Sequence, residues 1–180
     1  HRNATSIHMT FFCTIITGTN RMLFVLAAAI IFSVVPMLLY EVAARYVFDA
    51  PTIWAMEAST LVFGPHFMLA GPYLLHLKYH VAVDILSANL TGWKRRAAEI
   101  FANTVVAAFA ALLAAVSWPL ATSSYGMAET SFSAWNPSIW WLKFIVPFAF
   151  VMLCAQAIVE IINVVRQPDA QNDVQKEHSA

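Results

Sequence analysis

Residues 45–86 read RYVFDAPTIWAMEASTLVFGPHFMLAGPYLLHLKYHVAVDIL, and this stretch decides the fold. It contains a tight turn at residues 49–52, an uncharged run at residues 58–77 and a more polar exit. At a rise of about 1.5 Å per residue, about 20 apolar residues cross the hydrocarbon core of a bilayer. The stretch therefore predicts a helix that enters a membrane directly after a short turn.

The composition of the whole chain is that of an integral membrane protein. Of its 180 residues 60% are hydrophobic and 11% are charged, whereas a soluble domain carries about 25% charged residues. The net charge is zero, so no basic surface is available for nucleic acid. We predict an all-α integral membrane fold whose transmembrane domain, residues 21–165, has four helices. The predicted spans are residues 21–47, 54–78, 96–123 and 139–165.

The distribution of basic residues predicts the orientation of these helices. Arg45 and Lys143 lie at one side of the predicted spans, and the other eight of the ten Lys and Arg residues lie at the opposite side. Loops rich in Lys and Arg remain in the cytoplasm. We therefore predict that both termini and the loop between the second and third spans are cytoplasmic.

The two ends of the chain lie outside the predicted transmembrane domain. Residues 1–20 hold a short apolar segment that ends at residues 18–20, Gly-Thr-Asn, and we expect a separate interfacial helix there. A secretory signal peptide is the weaker alternative, because its first residues are poor in Lys and Arg. The polar tail at residues 166–180 is predicted to be disordered.

A second interfacial helix is predicted between the second and third spans. It begins at Tyr79, where apolar residues recur on one helical face, and it lies in the inner membrane interface. Lys94, Arg95 and Arg96 follow it, and we expect these three side chains at the level of the lipid phosphates.

Charged and aromatic residues form a candidate site at the outer ends of the first two spans. Glu41 and Arg45 are four residues apart, so they share one helix face and are able to pair. The short turn after Arg45 brings Glu57 within reach of the same guanidinium, beside Trp54. An ionisable group at this depth is costly unless it is paired, so we predict an assembly site. The alternative is that these charges only anchor the helix ends at the membrane interface.

The histidines of the second span do not predict a metal or haem site. His66 lies near mid-membrane without an opposing histidine on the third or fourth span, so we expect a packing hydrogen bond. His76 and His80 have the spacing of helical metal ligands, but only Asp84 is placed to complete a zinc site. We therefore predict no metal and no cofactor.

Packing and capping signals mark the last two helices. Asn136 is expected to cap the fourth helix, with Pro137 at its first position. Alanines recur at four-residue spacing in the third helix, which predicts a face on which a neighbouring helix packs closely. They are Ala107, Ala111 and Ala115 in one row, and Ala110 and Ala114 in another.

Several short motifs occur in a fixed order along the four predicted helices. They are Arg45-Tyr46-x-Phe48, Trp54-x-x-Glu57, His80-x-x-Val83-Asp84-x-Leu86, Thr130-Ser131, Asn136-Pro137 with Trp140, and Pro147 inside the last helix. Their order and spacing resemble those of the small membrane subunit of tripartite ATP-independent periplasmic (TRAP) transporters. The resemblance covers about residues 20–165.

The resemblance implies a subunit without catalytic activity. Such subunits associate with a large membrane subunit, which binds substrate and sodium, and a periplasmic solute-binding protein delivers the solute, typically an organic acid anion. The small subunit braces the large one in the inner membrane of a bacterium or archaeon, surrounded by membrane lipids. These properties are expectations from the resemblance.

The resemblance also implies roles for particular residues. His80 and Asp84 are expected to fix the inner loop, as the family pattern suggests. The outer loop between the third and fourth helices is expected to face the binding protein. Its candidate contact residues are Glu129, Trp135, Pro137 and Trp140.

Two other functions remain open from the sequence. A membrane anchor of an oxidoreductase complex requires bound haem or quinone, and the missing pair of opposed histidines argues against haem. A membrane enzyme requires a nucleophile with its base or a cluster of metal ligands, and the sequence places neither at the membrane interfaces.

Overall fold

The computed structural model describes the backbone of residues 2–87 and 93–166, and the side chains of residues 11–77 and 93–166. Within this part of the chain the fold is all-helical apart from one isolated antiparallel bridge between Thr130 and Ser138. The prediction of an all-α chain is therefore confirmed. The helices are α1 (Arg2–Tyr46), α2 (Ala55–Ser87), α3 (Trp93–Gly126) and α4 (Trp140–Arg166). The predicted disorder of the tail beyond residue 166 lies outside the described residues.

The four helices lie side by side in the order α1, α2, α4, α3. α2 packs along α1, α4 packs along both α2 and α3, and α1 and α3 do not contact each other within the described ranges. Ser59 Oγ lies 3.5 Å from Met37 Sδ, and the ring of Tyr73 lies 5.1 Å from that of Phe24, so α2 runs antiparallel to α1. We call the end with the α1–α2 turn and the α3–α4 loop the loop end, and the opposite end the terminal end.

Helix α1 is continuous where the sequence predicted a break. It has 45 residues, about 67 Å in length, and passes through residues 18–20 without interruption. The predicted separate helix within residues 1–20 is therefore wrong, and this segment is part of α1. The physical reason is tertiary: Asn20 is fully buried and its Nδ2 donates a hydrogen bond of 2.7 Å to Gln156 Oε1 on α4. A single helical glycine costs only about 1 kcal/mol.

Helix α2 is also longer than its predicted span. It continues to Ser87, so the predicted separate interfacial helix from Tyr79 is wrong in the described range. The sequence from residue 73 to residue 87 contains no Gly or Pro, and nothing in it stops a helix. His80 and Asp84 lie on this helix, but their side chains lie outside the described residues.

Three helices are long and apolar enough to cross a membrane by length and composition. They are Phe11–Tyr46, Trp93–Gly126 and Trp140–Arg166. Nearly all of the predicted second span, residues 54–78, lies in α2, which is not among these three helices in the described part of the chain. Its crossing of the membrane, and the cytoplasmic placement of both termini, stay predictions.

The seam between α3 and α4 follows a seven-residue repeat. Asn103, Ala110 and Ser124 are buried on α3, and the spacing of multiples of seven is typical of a helix that packs along a neighbour. Ala111 and Ala115 are exposed, so no helix within the described ranges packs on that row, and its role as a packing face stays a prediction. The predicted packing face is correct for Ala110, which is buried. The rows of four-residue steps and the seven-residue repeat both pass through Ala110, because a repeat of seven consists of one step of four and one of three.

Helix α4 begins later in the chain than the sequence predicted. Helix α4 begins at Trp140, so Asn136 and Pro137 do not cap it. Instead Asn136 Oδ1 accepts a hydrogen bond of 3.0 Å from Phe132 N, and the carbonyl of Pro137 accepts one of 3.0 Å from Ser131 N. These bonds fold residues 127–139 back on themselves above the helix ends.

Candidate assembly site

Glu41 is the centre of the polar contacts at the end of α1. Its side chain is 6% exposed, although it lies within two turns of the helix end. Arg45 donates from Nη2 to Glu41 Oε1 at 2.6 Å and from Nε to the same oxygen at 3.2 Å. This geometry confirms that Glu41 and Arg45 pair across one helical turn.

Thr52 connects Glu41 to the start of α2. The backbone N–H of Thr52 donates to Glu41 Oε2 at 3.1 Å, and the Thr52 hydroxyl donates to the same oxygen. The Thr52 oxygen in turn accepts a bond of 3.3 Å from the N–H of Ala55, the first residue of α2. The carboxylate of Glu41 therefore holds both the end of α1 and the entry of α2. The sequence contained a signal for this role, since Thr is preferred just before a helix.

Glu57 does not form the predicted pair with Arg45. Its Oε2 accepts a hydrogen bond from the hydroxyl of Ser133, in the α3–α4 loop. Glu57 lies in the first turn of α2 and faces that loop, whereas Arg45 is occupied by Glu41. Trp54 stacks on Tyr40 of α1, with ring centroids 6.2 Å apart. We call Glu41, Arg45, Thr52, Trp54, Glu57 and Ser133 the loop-end cluster.

An ion pair supports the α3–α4 loop from beneath. Lys143 Nζ lies 2.5 Å from Glu129 Oε2, and the two side chains are 39% and 23% exposed. Hydrogen bonds from Lys143 and from Ser124 lower the pKa of Glu129 below its ordinary value of 4.5. Both residues line a cavity of about 410 Å³ between the loop and the end of α3. Glu129 is therefore a support of the loop as well as a predicted contact residue.

The aromatic residues of this loop differ in their exposure. Trp140 packs edge-on against Tyr125, with ring centroids 5.2 Å apart, and is half-buried. Trp135 is exposed, and so is Phe132, which the sequence did not single out. Of the predicted contact residues, Trp135 is therefore the aromatic side chain that is open to a partner.

A chain of polar side chains crosses the bundle toward the terminal end. Asn20 Nδ2 donates to Gln156 Oε1 at 2.7 Å, and Gln156 Nε2 donates to Glu160 Oε1 at 2.9 Å. The same carboxylate oxygen lies 2.5 Å from His76 Nδ1. Asn20, Gln156 and Glu160 are buried. We call these four residues the buried polar chain.

The buried polar chain is not recognisable as a unit from the sequence. Its members lie on α1, α2 and α4 and are separated by up to 140 positions, so no spacing connects them. The available signal was the presence of polar residues in otherwise apolar helices, which marks functional sites in membrane proteins. From the sequence alone, the spacing of His76 relates it only to His80 and Asp84.

The basic residues at the start of α3 have protein partners. Arg96 Nη2 donates to the carbonyl of Val165 at 2.7 Å, which satisfies a free carbonyl at the end of α4. Arg95 Nε donates to Glu99 Oε1 at 3.0 Å, and Lys94 is exposed. The predicted contact of these three residues with lipid headgroups stays a prediction.

His66, within α2, is a packing residue. His66 Nδ1 lies 2.7 Å from the carbonyl oxygen of Ala27 on α1, as predicted. Within the described residues, no group of three or more His, Cys, Asp or Glu side chains is arranged to hold a metal ion. The polar contacts that the two clusters make are hydrogen bonds and ion pairs, most of them between two helices or between a helix and a loop.

A family model matches the chain across the loop-end cluster and across all members of the buried polar chain except Asn20. The model described as tripartite ATP-independent periplasmic transporters, DctQ component, matches residues 34–167, which is more than half of the chain. The chain belongs to this family. The match confirms the resemblance to the small subunit of TRAP transporters. No curated protein matches the chain.

The family membership defines the class of protein. This small TRAP subunit is a component of a transporter, and a multi-pass protein of the inner membrane. TRAP transporters also include a large membrane subunit and a periplasmic binding protein. The alternative of an oxidoreductase anchor gains no support from the family or from the geometry of His66.

Proposed function

We propose that this chain is the scaffold subunit of a sodium-coupled, binding-protein-dependent secondary transporter that imports an organic acid anion. In this proposal it braces the large membrane subunit, which binds the substrate and the sodium ions. The observation that carries the proposal is the membership in the family of small TRAP subunits. The geometry of the bundle supports the bracing role.

The side-by-side order of the helices suits a brace. Within the described ranges α1 and α3 do not contact each other and α2 and α4 pack between them, so the bundle has wide outer faces. Large apolar side chains such as Phe32, Phe101 and Phe109 are exposed on it. In a bilayer one such face is able to pack against another subunit while the other faces lipid.

The loop-end cluster supports a rigid brace. Glu41 ties the end of α1 to the start of α2 through Thr52, and Glu57 ties α2 to the α3–α4 loop through Ser133. All four helices are therefore linked at this end. A scaffold that resists the movement of a transport domain requires such links, because exposed helix ends otherwise fray.

We propose that the loop end faces the periplasm and receives the binding protein. The distribution of Lys and Arg supports this orientation. Phe132 and Trp135 are exposed in the α3–α4 loop. Ala128 and Phe132 have positive φ angles of 45° and 54°, a strained conformation that is typical of functional loops. Phe132 and Trp135 are the proposed contact residues, above the support from Glu129.

The terminal end is assigned to the cytoplasmic side. His80 and Asp84 are proposed to fix the end of α2 there, in agreement with the family pattern. Lys94 is the proposed contact with lipid headgroups, while Arg95 and Arg96 also bind protein groups.

Reconstitution tests the proposed function. The chain, the large subunit and the binding protein are placed in proteoliposomes, and uptake of a panel of organic acids is measured with and without a sodium gradient. We expect uptake to require all three proteins and sodium. Uptake that is unchanged when this chain is omitted contradicts the scaffold role, and uptake without sodium contradicts the coupling.

A double variant tests the contact with the binding protein. Phe132→Ala with Trp135→Ala is expected to lower uptake at limiting binding protein without lowering the yield of the membrane complex, because both side chains are exposed. Phe11→Ala, which removes an exposed aromatic side chain at the opposite, terminal end of the bundle, is the matched control. Equal uptake by the double variant and the control contradicts the proposed contact.

A further inference from the structure

The imidazole of His76 has one nitrogen inside the bundle and one at its surface. Nδ1 lies 2.5 Å from Glu160 Oε1; the Glu160 side chain is 4% exposed and the His76 side chain is 36% exposed. Nε2 makes no hydrogen bond to any other group in the part of the chain that the structure describes. Among the described residues, the buried polar chain therefore ends at the surface of the bundle in a nitrogen without a partner.

The depth of His76 makes this open nitrogen costly. Arg96 marks the end of α4 through its bond to the carbonyl of Val165. Glu160 lies five residues before Val165, about 7.5 Å further into the apolar length of the helix. His76 is bonded to Glu160 and lies at the same depth, beside the half-exposed Leu77. On the side of His76 that faces the middle of the bilayer, lipid chains provide no hydrogen-bonding group, whereas a side chain on a neighbouring helix does.

We propose that Nε2 of His76 hydrogen-bonds to a hydroxyl or amide side chain on a transmembrane helix of the large subunit. This inference rests on the proposed scaffold function and specifies which face of α2 the partner covers. A hydroxyl or an amide fits because either group both donates and accepts, so it satisfies Nε2 with or without its hydrogen. Such bonds between helices are common in membrane proteins.

The buried polar chain positions His76 for this contact. Glu160 holds Nδ1, Gln156 holds Glu160, and Asn20 holds Gln156, so the imidazole plane is fixed from three helices. A fixed donor or acceptor loses less conformational entropy on association than a mobile one. His76 is the contact residue, and Glu160 and Gln156 are positioning residues.

Two substitutions separate the inner nitrogen from the outer one. The amide nitrogen of an asparagine side chain occupies the place of Nδ1, so His76→Asn retains the bond to Glu160 and removes Nε2. A glutamine reaches the place of Nε2, so His76→Gln retains the outer contact and removes the inner bond. A residue with a purely structural role inside this chain needs only Nδ1.

The experiment measures two quantities for each variant. One is the thermal midpoint of the purified subunit, and the other is the dissociation constant of its complex with the large subunit in nanodiscs. We expect His76→Asn to retain the thermal midpoint and to weaken association about three- to thirty-fold. We expect His76→Gln to lower the midpoint and to retain more of the association.

The outcomes distinguish the inference from the proposed function. If His76→Asn keeps both its midpoint and the wild-type affinity, the contact at Nε2 is refuted and the scaffold function stands. If the wild-type subunit does not associate with the large subunit, both are refuted. If neither variant keeps its midpoint, a photoreactive amino acid in place of Leu77 decides: adducts with the large subunit support the contact, and adducts with lipid alone overturn it.

Discussion

The loop-end cluster and the buried polar chain use the same kinds of side chain in opposite ways. Glu41, Arg45 and Thr52 lie within twelve consecutive positions and join two helices through one turn. Asn20 and Gln156 are 136 positions apart and join helices that are not consecutive. The first arrangement is encoded by local spacing, and the second exists only once the bundle has formed.

The two regions also differ in their contact with the surroundings. The Arg45 side chain is 44% exposed, so its ion pair is weakened by water and salt. Asn20 and Gln156 are fully buried, and Asn20 Oδ1 is the buried side-chain atom without a hydrogen-bond partner in the described part of the chain. A buried polar group without a partner is costly, so we expect the buried polar chain to be the more sensitive region.

Gln156→Leu is expected to have the largest effect on stability. It removes the partner of Asn20 Nδ2 and one donor to Glu160. Each buried group is left unsatisfied, so we expect the free energy of unfolding to fall by about 1–3 kcal/mol. The measurement is the unfolding of the purified subunit in mixed micelles with increasing denaturing detergent.

A double variant shows whether the buried polar chain acts as a unit. Asn20→Leu combined with Gln156→Leu replaces both partners by apolar groups, so its loss should be smaller than the sum of the two single losses. If the loss of the double variant equals the sum of the two single losses, the coupling between α1 and α4 is contradicted. The buried polar chain then does not act as a unit, and its main difference from the loop-end cluster disappears.

Arg45→Ala is expected to have a smaller effect, less than half of the loss from Gln156→Leu. The exposed guanidinium is replaced by water, whereas Glu41 retains its bonds from Thr52. The exchanged pair Glu41→Arg with Arg45→Glu separates the two contributions. We expect this exchange to destabilise the subunit more than Arg45→Ala, because Thr52 N then faces a donor. A wild-type thermal midpoint for the exchanged pair shows that the ion pair alone holds the turn.

Acidification is expected to have the smallest effect, through Glu129. Bonds from Lys143 and Ser124 lower the pKa of Glu129 in the folded state below 4.5. Its contribution to stability is therefore complete above about pH 4.5 and is lost as the pH falls through the lower folded value. The measurement is the difference in thermal midpoint between the wild type and Glu129→Gln across the acidic range.

A matched variant checks the source of that pH dependence. Lys143→Met removes the other member of the ion pair and should lower the midpoint at neutral pH and flatten the acid dependence, as Glu129→Gln does. If the acid dependence of the thermal midpoint is unchanged in Lys143→Met, that dependence arises from another carboxylate. The ion pair between Lys143 and Glu129 then does not stabilise the loop.

Local patterns predicted the parts of the candidate site that lie close together in the chain. The pairing of Glu41 with Arg45 followed from a spacing of four, and the short turn followed from residues 49–52. The expected bond between Arg45 and Glu57 was wrong, because two acceptors were near one guanidinium and the sequence contained no information on Ser133. Proximity in sequence limits which pairs are possible, and the packing of a distant loop selects one of them.

By itself the sequence determined that this protein is a bundle of apolar helices of the small TRAP subunit class. Hydrophobic runs, the distribution of Lys and Arg and the order of short motifs act within each helix or its flanking turn, so they are readable without coordinates. The tertiary structure alone decided that α1 continues through residues 18–20 and that α2 lies between α1 and α4. It also decided that four distant polar residues form one chain, because the cost of burying each is offset only by a partner on another helix.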